Sequence, residues 1–173
     1  MLVSLRSEDH QLVGNLLGNL ASVLGQLRGK GEQVREQVLA VRQKAHEVTL
    51  RAYGSDSDDT VSSLLSLGNA YRDQAMPEEA LARLEEGLEI VRRIHPERNV
   101  TEALFLENIG RVYVHLGRPE DTLAWFRKAH RIYRKTVGPD STDAGRLICS
   151  TADVLRGQGK VEDAMEKCEE ALA

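Results

Sequence analysis

Aromatic residues make up only 4% of this 173-residue chain, prolines number four and cysteines two. Two cysteines cannot build a disulfide framework, so stability has to come from an apolar core, and a reducing, cytoplasmic setting is expected. No apolar run approaches the roughly 20 residues needed to cross a bilayer, so no membrane span is expected, and Met1 to Glu8 lack the basic-then-apolar pattern of an export leader. A cationic excess is missing as well. Lys and Arg number 23 against 27 Asp and Glu, a net charge of −4 that argues against a general nucleic-acid binder. The histidines at 10, 46, 95, 115 and 130 show no metal-ligand spacing, so neither a metal nor another cofactor is expected. No serine, cysteine or lysine has a recognisable base beside it, and the chain is expected to be non-catalytic. Cys149 and Cys168 read as small apolar residues, the first open to a groove and the second in a core.

What is present is a globular balance, 41% apolar and 29% charged, in a chain long enough to bury about two-thirds of its unfolded surface. The chain also repeats itself every 42 residues. Gly68, Gly110 and Ala152 fall in step, as do Tyr71, Tyr113 and Leu155, and then Ala75, Gly117 and Gly159. The later half of the unit agrees: Ala80, Thr122 and Ala164; Leu84, Phe126 and Cys168; Gly87, Ala129 and Ala171. Apolar residues three and four apart, such as Leu64, Leu67 and Tyr71 followed by Leu81, Leu84, Leu88 and Val91, predict two amphipathic helices per unit. Pro77 and Pro119, each followed by two acids, suit the first turn of the second helices. Asn99 with Glu102, and the pair Asp140-Ser141, suit the caps of first helices. The small pairs Gly68 with Gly87 and Gly110 with Ala129 are expected where the two helices of a unit approach.

This order of glycine, tyrosine, small turn residue, alanine, large apolar residue and alanine resembles the tetratricopeptide repeat. The 42-residue period, with connectors Tyr53-Gly54-Ser55-Asp56 and Val137-Gly138-Pro139-Asp140, is similar to the variant of kinesin light chains. The fold class expected is therefore all-α, an α-α superhelix of about eight antiparallel helices. It forms a single array over 1–173, with units near 11–55, 57–97, 99–139 and 141–173. The first unit is irregular, because Gly29-Lys30-Gly31-Glu32 matches the later turns at an offset of 46 and implies a longer second helix. The last unit has no polar cap, as in a segment of a longer array.

In such a solenoid the first helix of each unit lines the concave face, so its non-core positions form the candidate partner groove. These are Leu65, Asn69, Arg72 and Asp73; Glu107, Asn108, Arg111 and His115; and Arg146, Ser150, Asp153 and Arg156. An asparagine amide both donates and accepts, and can hold the backbone of an extended peptide whatever its side chains. Groove asparagines resemble those with which kinesin-light-chain repeats hold cargo, and Asn69, Asn108 and Arg146 match three places of the carboxylate clamp in chaperone-binding tetratricopeptide proteins. Leu65 and Ser150 stand where that clamp carries basic residues.

The implied function is a scaffold that binds a protein or peptide partner in the groove. The alternatives are a sensor or regulatory arm of a larger protein such as an NTPase, or self-association through the apolar stripe Met165, Cys168 and Leu172. Three further features read blandly. Gly25 to Gly31 resembles a phosphate loop but suits a helix-helix turn. Arg127, Lys128, Arg131, Arg134 and Lys135 form a basic stripe expected to face solvent, and Trp125 is expected to pack in or near the core.

Overall fold

A computed structural model describes residues 13–14, 16–20, 23 and 31–172, the last three of these by backbone alone. The phosphate-loop-like stretch before Gly31, the leader region and the Leu172 side chain lie outside the described residues. Every regular element described is helical, with no strand among the described residues. Helix α1 is described over residues 13–14, 16–20 and 23. It is followed by α2 (Gly31–Tyr53), α3 (Asp58–Asp73), α4 (Pro77–Ile94), α5 (Val100–His115), α6 (Pro119–Thr136), α7 (Thr142–Gly157) and α8 (Val161–Leu172). The chain folds as two compact units, Met1–Ile90 and Val91–Ala173.

The period of the sequence is the period of the helices. First helices begin at Asp58, Val100 and Thr142, and second helices at Pro77, Pro119 and Val161, each 42 residues after the last. Helix α2 begins 46 residues before α4 and runs for 23 residues against 18, which absorbs the offset of its turn. The caps keep step. Ser57 Oγ accepts from Thr60 N at 3.2 Å, Asn99 Oδ1 from Glu102 N at 2.9 Å and Ser141 Oγ from Ala144 N at 3.3 Å, each satisfying one otherwise orphaned N–H. The Glu102 carboxylate meets Arg92 rather than closing a capping box.

The turns inside repeats are equally regular. Met76 N donates to Tyr71 O, Arg118 N to Tyr113 O and Lys160 N to Leu155 O, all at 3.0 Å, the closing bond of a Schellman motif. Such a motif needs one residue in the left-handed region, and Ala75, Gly117 and Gly159 supply it with φ of 57°, 65° and 76°. At Ala75 a Cβ has to be carried there at some strain.

Within each unit the core lies between helices. In the first, Leu64, Leu67, Ala80, Leu84 and Leu88 are buried; in the second, Phe105, Ile109, Phe126, Ala129, Leu147 and Ile148. The close approach differs from the small-with-small pairing expected. Gly68 accommodates Leu84, whose Cγ would lie 2.7 Å from a Cβ at 68, and Gly110 accommodates Phe126, whose ring would lie 2.6 Å away. Each glycine is a socket for a large side chain, because the mating residue lies one turn before Gly87 and Ala129. Trp125 is half-buried, its ring stacked on Tyr113.

Gly110→Ala removes the glycine helix penalty yet forces the Phe126 ring aside. Since overpacking costs about 1–3 kcal/mol and the propensity gain is about 1, the variant is expected to have a lower urea midpoint.

Candidate functional site

The first helices carry the candidate residues, and in the second compact unit these are α5 and α7. Core positions Ala103, Phe105, Leu106, Ile109 and Val112 turn one face of α5 inward. Glu107, expected on the open groove, is buried with them at 1% exposure. It goes inside because three neighbours satisfy it. Arg111, one turn on, donates to Oε1 through Nε at 3.1 Å and Nη2 at 2.9 Å. Tyr133 of α6, itself fully buried, donates its hydroxyl to Oε2 at 3.1 Å. Arg146 of α7 reaches both oxygens, through Nη1 to Oε1 and through Nη2 to Oε2 at 3.0 Å, and Nη2 also donates to Asp143 at 3.1 Å.

A buried carboxylate is tolerable only when paired and hydrogen-bonded, and here five donor atoms of three side chains, on three helices, meet that demand. The consequences run both ways. Hydrogen bonding to Glu107 holds the Arg146 guanidinium above its ordinary pKa, against the opposing pull of burial. Burial first, then the Glu107 charge, pushes the Tyr133 hydroxyl well above its usual value, so it serves as a neutral donor throughout the physiological range. Arg146 is thus engaged from within, by Glu107 and Asp143, and not held open for a ligand carboxylate.

The remaining candidates fall as follows. Asn108 is half-buried, and its amide donates to the Leu104 carbonyl one turn back at 2.8 Å. Ser150 donates to the Arg146 carbonyl at 3.1 Å, Asp153 pairs with Arg156 at 2.9 Å on the exposed surface, and His115 is exposed at the end of α5. Cys149 is exposed, and so is Cys168, which was expected in the core. The reason is steric. Cys168 is shorter than Leu84 and Phe126 at the same repeat place, and Ala152, not a glycine socket, occupies the matching place on α7.

In the first compact unit, Leu65 and Asn69 are half-buried on α3. Asn69 Oδ1 accepts from Arg72 Nη1 at 2.9 Å, and Arg72 pairs with Asp73 at 3.1 Å. Beside them lies a cleft of about 180 Å³ lined by Thr49, Tyr53, Ser62, Ser63 and Ser66, with Arg42, Asp59, Ala45, Gly14 and Gly18. Sequence reasoning missed this cleft. Its signal was Ser62 and Ser66, one turn apart on α3. His46 Nδ1 lies 2.8 Å from Ser63 Oγ, and since that hydroxyl gives its proton to the Thr60 carbonyl, Nδ1 is the donor. Burial lowers the His46 pKa, with Glu86 opposing and Arg83 reinforcing the shift.

A family model described as tetratricopeptide repeat matches residues 36–93 and 101–173. The chain belongs to the tetratricopeptide repeat family. Such repeats are protein-interaction scaffolds rather than catalysts. Among similar proteins is a clustered mitochondria protein homolog of Aspergillus niger, 25% identical over 167 residues that make up 95% of this chain. Another, of Emericella nidulans, is 25% identical over 167 residues, 91% of this chain. The chain spans only 13% and 14% of those two proteins. Among solved structures, BtubC (BKLC) from P. vanneervenii aligns over 97% of this chain and 65% of its own, with TM-score 0.79 at 17% identity. The kinesin-light-chain TPR-like repeats of Podosopora anserina align over 95% and 86%, with TM-score 0.63 at 15% identity. A Rap protein complexed with Competence and Sporulation Factor aligns over 98% and 43%, with TM-score 0.75 at 16% identity. At these identities the likeness is one of fold, and it puts the tetratricopeptide chain in the α-α superhelix class. No described helix is long and apolar enough to cross a membrane.

Two measurements check the electrostatics. Tyr133→Phe removes one donor from the buried Glu107 and is expected to lower stability by about 1.5–3 kcal/mol in urea unfolding, the usual worth of a hydrogen bond to a charged group. For His46, the folded pKa lies below the unfolded one, so the unfolded state binds protons first. Its contribution is present above the unfolded pKa and is lost as pH falls through the folded value. Stability measured across mildly acidic pH is therefore expected to fall less steeply in His46→Gln than in the wild type.

Proposed function

We propose that this tetratricopeptide chain is a non-catalytic adaptor that holds an extended or helical segment of a protein partner against the first helices of its repeats. The observation that carries this reading is the Glu107 network. It neutralises Arg111 and Arg146 from within, so the α5 and α7 face offers amides and hydroxyls without net charge. Such a face suits the backbone of a peptide better than a lone carboxylate terminus. Asn69 and Asn108 are the backbone clamps in this reading, flanked by Leu65, Arg72, Asp73, His115, Ser150, Asp153 and Arg156. The Rap protein of similar fold was solved complexed with a factor, which supports partner binding by this architecture. The two unpaired, exposed thiols support residence in the reducing cytoplasm.

A second reading has its own support. Because the chain spans 13% of its Aspergillus niger relative, the repeats would serve as one arm of a larger protein, sensing or regulating what the rest does. Val161 and Met165, more than half exposed on α8, give that arm apolar surface for self-association.

Affinity capture from native lysate tests the groove. The double variant Asn69→Ala with Asn108→Ala is expected to lose at least about tenfold of the captured partner, as two polar contacts would require, with its helical circular dichroism unchanged. Full retention of partners would overturn the groove reading.

A further inference from the structure

Four arginines on this protein keep an acid one turn away. Arg83 pairs with Glu86 at 2.6 Å, Arg118 with Asp121 at 2.8 Å, Arg146 with Asp143 at 3.1 Å and Arg156 with Asp153 at 2.9 Å, all one turn apart. Beyond its first turn, helix α6 lacks such partners altogether. From Thr122 to Pro139 there is no acidic residue, while Arg127, Lys128, Arg131, Arg134 and Lys135 are all exposed. Among the described residues none of the five is in an ion pair; Arg127 donates to the Leu123 carbonyl and Lys128 lies over the Trp125 ring. Arg131 is the centre of the patch. Arg127 and Lys128 stand four and three residues before it, and Arg134 and Lys135 three and four after. Like charges at these spacings destabilise a helix. The helix dipole favours Arg134 and Lys135 in the last turn but offers nothing to the other three. A face meant only for solvation would mix signs.

We propose that this face of α6 is a docking surface for a short acidic segment of a partner protein, held by Arg127, Lys128, Arg131, Arg134 and Lys135. The chemistry of the surroundings selects this occupant. From Arg127 to Lys135 the patch is about 12 Å long at 1.5 Å per residue. Glu120 and Asp121 bound it at one end and Asp140 at the other. Outside the patch, 18 cations (23 less these five) face 27 acids. A nucleic acid, with its charge spread along its whole length, would run from the patch into repelling surface, whereas a segment with three or four carboxylates would not. Membrane insertion is closed to the helix, because Phe126, Ala129, Ile132 and Tyr133 are committed to the core.

The patch carries its own reporter. Trp125 is the single tryptophan; its ring stacks on Tyr113, with centroids 6.4 Å apart and planes 12° apart, and the Lys128 ammonium sits 4.0 Å above it. A carboxylate that draws Lys128 away changes the indole environment.

The test is a titration of the full chain with an octaglutamate peptide at low salt, read by Trp125 emission, alongside thermal unfolding. Wild type is expected to give a saturable change that weakens as salt screens the contacts. In Arg131→Glu the new residue gains four cationic neighbours on its own helix. The unfolding midpoint is therefore expected to hold or rise, while peptide affinity falls at least about tenfold, as when a like charge is set against the ligand. Arg131→Gln is expected to fall between the two. Absence of saturation by wild type, or affinity unchanged in Arg131→Glu, would overturn the proposal. So would tighter binding of oligo(dT) or of phosphatidylserine vesicles through the same arginine, since a protein segment would then be the wrong occupant.

Discussion

The packing of the two repeats with a glycine on the first helix depends on how closely two helices can be brought together. Gly68 opens a socket that Leu84 enters, and 42 residues later Gly110 does the same for Phe126. A large side chain seated against bare backbone buries more apolar surface than two small residues facing each other, and it fixes rotation and height together. With that seat set, the turn between the helices has a fixed span, and a left-handed residue and a Schellman bond close it at Ala75 and Gly117, as they do at Gly159 of the last repeat. The cap at the start of each first helix then falls at a fixed distance too. The last repeat keeps the same period and turn with Ala152 in place of the glycine, so there the capping and Schellman bonds alone hold the spacing.

Against this regular background, Glu107 stands out. One period earlier, Leu65, Val91 and Leu104 stand in the places of Glu107, Tyr133 and Arg146. Three apolar positions have been exchanged together for an acid, a hydroxyl and a base that bind one another. A buried ion pair is seldom the most stable filling for a core, but it admits only one arrangement of its donors. Here the cluster ties α5, α6 and α7 to a single relative setting. It also leaves the α5 and α7 surface polar without free charge, which is the property the partner-binding reading rests on.

Helix starts, caps and turn residues were legible because each is dictated within a few residues of chain: an oxygen three residues before an orphan N–H, a proline where no donor is lost, a glycine where φ is positive. The partner of each glycine socket was not, because aligned columns show which residues are small but not which side chain reaches across a turn. Glu107 was read as open surface for a related reason. Its acceptors are filled by Tyr133 and Arg146, 26 and 39 residues away, and nothing local announces them. A comparison of repeat columns for polar residues in apolar places would have raised the question. Cys168 failed differently: its column is a core column, yet the residue is too short, and Ala152 too large, for the seat that Leu84 and Phe126 fill.

The caps and turns have one more implication. Ser57, Asn99 and Ser141 each close the start of a repeat with a bond to a residue three places on, and each internal turn is closed by residues of the same repeat. No repeat borrows these closures from the one beside it. A gene encoding such a chain can therefore gain or lose 42 codons at a stroke without leaving a frayed helix end behind, so array length can drift in whole steps while the local stereochemistry of every remaining repeat stays as it was.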